Sequence, residues 1–291
     1  MRALVLMVLA FALRADDLTN KMTERVSEEA AAFVKIAPEM LGTETLHQRT
    51  IKPASRFHPR AGAAAKAPPA VEWKEREVVS EYAFSQFGGT DGAIHELRKV
   101  ITVDGKKVTE PKKAQQALAA AMTAKDDEQK RALLKEFEKY GLTSAVTDFG
   151  QLLLLFSRRD IERYEFTARP PVMIGYDRAL VWSYKQLDGP EALTLFESSK
   201  ARRLPIEGEI RVRASDFVPL QITLISQQGD APSSVREEAA VSYAMTKFSV
   251  LMPTSTEHRE LRGGKLAMEN KFTYTDFHKF GASSELSFPE K

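Results

Sequence analysis

The sequence predicts an α+β protein in which a strongly curved antiparallel sheet, a half-barrel, packs against three or four helices. From residue 161 onward, short segments alternate apolar and polar residues, as strands of a half-buried sheet do. Helical periodicity is confined to the N-terminal region and to residues 112–157. A composition of 43% hydrophobic and 28% charged residues in a chain of 291 is typical of a folded globular protein.

Residues 1–15 have the pattern of an export signal. Arg2 precedes an apolar run over residues 3–13, and small residues follow where a signal peptidase could cut. This run is too short for a bilayer-spanning helix, which takes about 20 apolar residues. We therefore predict cleavage after Ala12 or Ala15 and a periplasmic or secreted protein. An uncleaved N-terminal helix that stays buried or anchors the chain is the alternative.

Charge and cysteine content exclude several classes of function. The chain has 42 Lys and Arg against 40 Asp and Glu, and cleavage after Ala15 would remove Arg2 and Arg14, leaving a neutral protein. A neutral chain lacks the positive excess that nucleic-acid binding requires. There is no cysteine, which excludes disulfides, thiolate metal sites, cysteine nucleophiles and a cysteine-linked lipid anchor.

The first third of the mature chain combines one helix with one long loop. Apolar residues recur every three or four positions over residues 16–40, which predicts a helix that Pro38 kinks and Gly42 ends. The Pro/Ala-rich segment at 59–70 has no apolar period and is predicted to be a mobile loop or linker. One helix and one strand before it are too few to fold alone. We therefore expect a single domain over residues 16–291.

Strands and helices alternate in the middle of the chain. Residues 73–87 read as a long strand, and Asp104-Gly105 as the turn of a hairpin. Residues 112–123 and 126–140 have helical patterns. A third short helix is predicted over Leu152–Phe156, either as a lid or plug or as an ordinary buried helix.

The C-terminal third reads as a run of strands. Alternation over residues 206–214 continues after a turn at Ser215-Asp216, and a change of phase near Thr246-Lys247 predicts a bulge or bend. Thr256, His258 and Glu260 share one face of a segment that is almost without apolar residues. That segment is predicted to be a solvated or edge strand.

This pattern resembles the LolA/LolB superfamily of periplasmic lipoprotein carriers. The resemblance lies in residues 210–220, in Met252-Pro-Thr-Ser and in residues 272–280, and is strongest over the last 90 residues or so. It implies an unclosed antiparallel barrel wrapped around helices, with an apolar cavity for acyl chains. The loop at 59–70 and the helices at 112–140 make this chain longer than the simple carrier.

Apolar residues at alternate strand positions are the candidate ligand-binding residues. An open half-barrel has more concave apolar surface than a few helices cover, so some inward side chains should meet a ligand. Ordinary core packing is the competing interpretation for each of them. The candidates are Trp182, Tyr184, Ile210, Val212, Leu220, Ile222, Tyr243, Phe272 and Tyr274.

Asp276 and His278 are the candidates for chemistry. Two residues apart on a strand, they would share a face and could support base catalysis or hold a metal. They could equally lie in water at the strand end, or the register could shift so that Phe277 points inward. The sequence has no nucleophile elbow, phosphate-binding loop, His-Glu-x-x-His or dinucleotide fingerprint. We therefore expect no catalytic residues, metal or cofactor.

These observations favour an exported, soluble carrier that holds lipid acyl chains or a lipidated protein in its concave cavity. The alternative is a non-enzymatic envelope scaffold or sensor whose cavity its own helices fill. A hydrolase or metal enzyme at Asp276 and His278 is a third possibility. Expected partners are lipid or lipidated protein, with transient membrane contact or a second envelope protein possible. The sequence leaves the ligand's identity open.

Overall fold

The computed structural model describes residues 2–52, 71–87, 94–124, 127–140, 142, 149–187, 194–197, 200–203, 205–230 and 232–280. Side chains are described from residue 16 onward, apart from 135–138, 194–197 and 200–203. The predicted loop at 59–70 lies outside this part of the chain.

Three α-helices are described: α1 (Arg2–Ile36), α2 (Pro111–Thr123) and α3 (Glu128–Glu138). Three 3₁₀ helices accompany them: Ala37–Glu39, Leu152–Phe156 and Ile161–Arg163. Both predicted helices of the middle region are confirmed. In the described residues, no helix is both long and apolar enough to cross a membrane.

The first helix ends earlier than predicted. The helix stops at Ile36. Pro38 lies in the 3₁₀ turn that follows and does not kink the last turn of the α-helix. A residue before proline avoids the α conformation, which explains the early end. The chain is already extended at Met40, so Gly42 lies within a strand and does not terminate the helix.

Thirteen strands are described, and eleven of them form one antiparallel sheet in the order β4-β3-β2-β1-β13-β12-β11-β10-β9-β6-β5. The sheet is not closed, since β4 and β5 are its two edges. Strands β7 and β8 pair separately. The strands are β1 (Met40–Ile51), β2 (Trp73–Gln86), β3 (Ile94–Val103), β4 (Lys106–Lys107), β5 (Tyr164–Ile174), β6 (Asp177–Gln186), β7 (Thr194–Glu197), β8 (Lys200–Arg203), β9 (Ile206–Arg213), β10 (Pro219–Gln228), β11 (Val235–Met245), β12 (Leu251–Arg262) and β13 (Lys265–Lys279).

Tight turns join the hairpins where the sequence predicts them. Asp104 and Gly105 have φ of 51° and 72°, the pair of positive values that a two-residue hairpin turn needs. The change of phase near Thr246-Lys247, predicted to be a bulge or bend, is instead a turn that reverses the chain between β11 and β12. The Thr246 N–H donates to the Val250 carbonyl at 2.9 Å and closes this turn.

The sheet has two differently covered faces. The inner face, as we call it, packs against α1 and the 3₁₀ helix Leu152–Phe156 and forms the main core. On the outer face, α2 and α3 cover the β1–β3 region through a smaller cluster that includes Ala83, Leu97, Leu118 and Leu133. The rest of the outer face carries the polar residues that alternate with the core.

Candidate ligand-binding face

Most of the predicted cavity residues lie together on the inner face. Their side chains are no more than 5% exposed and belong to one continuous core cluster. They are Trp182, Tyr184, Ile210, Val212, Ile222, Tyr243, Phe272 and Tyr274. The alternation pattern therefore located the inner face, and in this structure the protein's own helices cover it.

Leu220 is the exception. Pro219 pairs with Val212 and Gln221 with Arg211, so one extra residue of β10 falls between these pairs. Such a bulge shifts the phase of alternation. Leu220 is only half-buried as a result, whereas Val218 and Pro219 are buried.

Aromatic rings fill the space between the 3₁₀ helix and the sheet. The Phe156 ring centroid is 4.9 Å from that of Tyr184 and 5.1 Å from that of Tyr164. On the α1 side, Phe33 meets Phe84 edge to face at 4.9 Å. These are the separations at which aromatic pairs attract each other beyond their burial.

Residues 149–156, which we call the plug, pack against the inner face. Leu152, Leu153 and Phe156 are buried there. A 3₁₀ helix has poorer hydrogen-bond geometry than an α-helix and is used in short pieces. The plug is therefore stabilised more by its apolar contacts than by the hydrogen bonds within its own backbone.

Three hydrogen bonds from three different elements anchor the plug. The Ser27 hydroxyl of α1 donates to the Phe156 carbonyl at 2.9 Å. The Leu153 N–H donates to the Tyr243 hydroxyl at 3.1 Å, and the Gly150 N–H donates to Glu96 Oε1 at 2.6 Å.

Glu96 belongs to a buried charge cluster. Arg98 donates to both carboxylate oxygens of Glu44, at 2.7 and 2.8 Å, and also to Glu96. All three side chains are at most 3% exposed. Burial would lower the pKa of Arg98, but the carboxylates of Glu44 and Glu96 raise it well above its ordinary value. Arg98 therefore stays charged, and the Glu96 carboxylate of its cluster also accepts the hydrogen bond from the plug.

The inner face becomes polar toward one end. Residues paired across neighbouring strands form rows, and the row through Val241 and Phe272 is largely apolar. The next row is Leu224, Ala239, His258, Asn270, Gln48 and Arg76, and the one after it is Ser226, Glu237, Glu260, Met268, Thr50 and Lys74.

A chain of hydrogen bonds crosses four strands at this polar end. Gln48 Nε2 donates to Asn270 Oδ1 at 2.6 Å, and Asn270 Nδ2 lies 3.3 Å from His258 Nδ1. His258 Nε2 is 2.6 Å from Glu237 Oε2. Since a carboxylate only accepts, His258 donates from Nε2 and accepts at Nδ1.

The prediction of a solvated or edge strand around His258 was wrong. Strand β12 lies between β11 and β13, and Thr256, His258 and Glu260 are at most 5% exposed. Sequence reasoning missed these residues because it equates polar with exposed. Their spacing by two, which the sequence did show, was the usable signal.

The structure does not bring Asp276 and His278 onto the inner face. Asp276 is exposed with φ of 58°, at a register shift where Thr43 pairs with Thr275 and Leu41 with His278. Phe277 instead points toward the core and lies 6.3 Å from the Tyr82 ring. His278 contacts Gln115 of α2, with 3.3 Å between their Nε2 atoms. Of the three arrangements considered from sequence, the shifted register is the one observed.

Among the described residues, no group of three His, Asp or Glu side chains could hold a metal ion. A cavity of about 720 Å³ does lie against the outer face of β5, β6 and β9–β12. Charged side chains form much of its wall, including Glu165, Lys185, Glu207 and Arg211. An acyl chain gains little from such a surface, so this cavity is not the predicted apolar one.

Comparison with solved structures finds similar folds. A domain described as a candidate outer membrane lipoprotein-sorting protein from Vibrio parahaemolyticus is 8% identical, with 88% of this chain and 93% of that chain covered and a TM-score of 0.37. A LolA superfamily protein from Nitrosomonas europaea is 12% identical (89% and 93% covered, TM-score 0.30). A DUF1329 family protein from Desulfovibrio piger is 7% identical (90% and 95% covered, TM-score 0.35).

One of these three structures is described as a LolA superfamily protein, the family named from the strand pattern. No family model and no curated protein matches the sequence. Because all three TM-scores are below 0.5, what these proteins do does not transfer to this chain. Its own residues must indicate its function.

Proposed function

We propose that this chain is an exported, non-enzymatic carrier that binds lipid acyl chains, free or on a lipidated protein, on its inner face. Residues 149–156 occupy the space that the acyl chains would take. The observation that carries this proposal is the plug itself: a short 3₁₀ helix seated among aromatic side chains and anchored by three hydrogen bonds.

The energetics of exchange set the kind of ligand. Burying Leu152, Leu153 and Phe156 contributes roughly 5 to 9 kcal/mol, at about 1.5 to 3 kcal/mol for each side chain. A buried methylene contributes about 0.8 kcal/mol, so about six to eleven methylenes offset the plug. Long acyl chains meet this requirement, whereas short ones do not.

Release follows from the same balance. Once a membrane or a partner protein offers the acyl chain an equally apolar environment, the plug can return to the inner face. Transient contact with a membrane or with another envelope protein is therefore part of the proposal. The apolar run at residues 3–13 supports export to the periplasm or the outside of the cell, with cleavage after Ala12 or Ala15.

A scaffold or sensor on the same fold is the second candidate. It is favoured by the burial of eight predicted cavity residues under α1 and the plug, since a face filled by the protein itself needs no ligand. In that case another envelope protein would bind the outer surface.

Binding of a fluorescent palmitate analogue to the mature protein separates the two candidates, with native mass spectrometry to detect co-purified lipid. A carrier binds the probe stoichiometrically and a scaffold does not. Leu153→Ala, which removes a plug side chain, should bind the probe more tightly, because the acyl chain then displaces a plug with less buried apolar surface.

Leu118→Ala on α2 is the matched control. Leu118 is as deeply buried as Leu153 but belongs to the outer-face cluster. The Leu118→Ala variant should be destabilised as much as Leu153→Ala, and its affinity for the probe should equal that of the wild type. Absence of probe binding in the wild type and in Leu153→Ala would reject the carrier.

A further inference from the structure

We propose that the polar end of the inner face, formed by Ser226, Glu237, His258 and Glu260, binds a primary ammonium group on the ligand's head. This inference rests on the proposed acyl-chain carrier and names the class of amphiphile carried: an amine-bearing lipid or lipidated chain. The strand pairing places His258 two residues, and Ser226, Glu237 and Glu260 four residues, along the strands from the row of Val241 and Phe272, so one ligand can span both regions.

An unsatisfied hydroxyl lies at this end. Ser226 is 4% exposed, and its Oγ has no hydrogen-bond partner among the described residues. It lies directly across from Glu237 in the β10–β11 pair and on the same face. A buried hydroxyl without a partner costs free energy, which a ligand donor would recover.

Two carboxylates face each other beside it. Glu237 pairs with Glu260 across β11 and β12. Like charges directly opposite are unfavourable in a sheet. Arg262 pairs with Glu260, but its own side chain is 66% exposed. The side-chain partner of Glu237 is His258, and Glu237 makes no ion pair with Lys or Arg among the described residues. An ammonium group would supply such a cation while donating to Ser226 and Glu237.

The hydrogen-bond chain holds Glu237 in place for this role. Its Oε2 accepts from His258, whose ring is covered by Phe149 at 4.4 Å between centroids. The Glu237 side chain is 28% exposed, whereas His258 is 2% exposed. The carboxylate is thus the accessible end of an otherwise buried network.

The charge pattern disfavours anionic heads at this position. The basic side chains of the same rows, Lys74 and Arg76, lie on β2, at the other end of those rows from β11. Arg76 is already engaged with Asp104, at 3.6 Å, and with the Tyr140 carbonyl. A carboxylate or phosphate would meet repulsion from Glu237 and Glu260.

The head-group preference is tested with three ligands of equal chain length: dodecylamine, dodecanol and dodecanoate. Each is titrated against the palmitate-analogue complex of the mature protein at neutral pH. We expect dodecylamine to compete about tenfold more strongly than dodecanol, since a hydrogen bond to a charged group changes affinity by about a factor of ten. Dodecanoate should be the weakest.

Two variants locate the preference. Glu237→Gln and Ser226→Ala should reduce the affinity for dodecylamine and leave that for dodecanol unchanged, with circular dichroism confirming the fold. Glu238→Gln, on the outer side of the same strand, should change neither. Equal binding of all three probes would overturn the head-group site and leave the carrier standing, whereas no binding of any probe would overturn both.

Discussion

The backbone N–H of Gly150 donates to Glu96 Oε1 at 2.6 Å, so the first residue of the plug's anchored stretch is tied to the buried Arg98 cluster. A larger residue would force a shift here, because an added Cβ would lie 2.7 Å from Glu96 Oε1 and 2.8 Å from the Tyr82 hydroxyl. This contact joins the charged part of the inner face to the segment that covers its apolar part.

Gly150→Ala should loosen the plug. The added methyl group forces residue 150 away from Glu96, at a cost of about 1 to 3 kcal/mol in the free energy of unfolding. Binding of the palmitate analogue should become faster in stopped-flow measurements because the plug opens more often. Gly105→Ala is the control. Gly105 has φ of 72° and open space around it, so this variant should lose stability through backbone strain alone. A similar acceleration in both variants would contradict the role given to the plug.

Gly208→Ala should be strongly destabilising for a different reason. An added Cβ would lie 2.1 Å from the Thr223 carbonyl oxygen and 2.9 Å from the Tyr184 ring, so the backbone must move. Tyr184 crosses β9 at this glycine and donates to that carbonyl at 2.7 Å. We expect a loss of about 2 to 3 kcal/mol by urea denaturation. Tyr184→Phe, which removes only the hydrogen bond, should cost about 1 kcal/mol.

Glu81→Gln should stabilise the protein at neutral pH. Burial raises the pKa of Glu81 above its ordinary 4.5, His278 lowers it less, and Asp276 raises it further. As the pH rises past 4.5, the unfolded chain ionises first, so the wild type loses stability until Glu81 ionises in the folded state as well. The gain from glutamine should vanish below pH 4.5. Glu77→Gln, at a side chain of the same strand that is 45% exposed, is the control for thermal unfolding over the same pH range.

Unfolding at alkaline pH should coincide with ionisation of the buried tyrosines. Burial raises the pKa of Tyr164 to about 12 and raises the pKa values of Tyr82, Tyr184, Tyr243 and Tyr274 well above their ordinary value. Above pH 10 the unfolded chain binds fewer protons than the folded one, so stability falls as the pH rises. Spectrophotometric titration should show these tyrosines ionising together with the loss of secondary structure. Gradual ionisation within an intact fold would contradict their burial.

Much of the architecture could be predicted from local patterns. Alternation located β9 and the inward side chains Ile210 and Val212, and the turn residues at Asp104-Gly105 marked a hairpin. The predicted side-chain directions were wrong where the strand pairing is irregular. A bulge at Leu220 and another near Asp276 shift the phase, and neither has a signal in the residues beside it.

The shared face of Thr256, His258 and Glu260 could be predicted from their spacing, but their burial could not, because burial depends on neighbours distant in sequence. His258 is buried through contacts with Glu237, Asn270 and Phe149, each on a different segment. The Gly150–Glu96 bond joins residues 54 positions apart. Local periodicity carries no information about such pairings, so Glu44, Glu96 and Arg98 were also missed.

Hydrogen–deuterium exchange with and without bound palmitate analogue tests the central claim most directly. The amides of Gly150 and Leu153 are bonded to Glu96 and Tyr243, whereas the amides of β12 and β13 are bonded within the sheet. If acyl chains displace the plug, residues 149–156 lose protection on binding while β12 and β13 keep theirs. Stoichiometric binding with unchanged protection at 149–156 would place the ligand elsewhere and contradict the account.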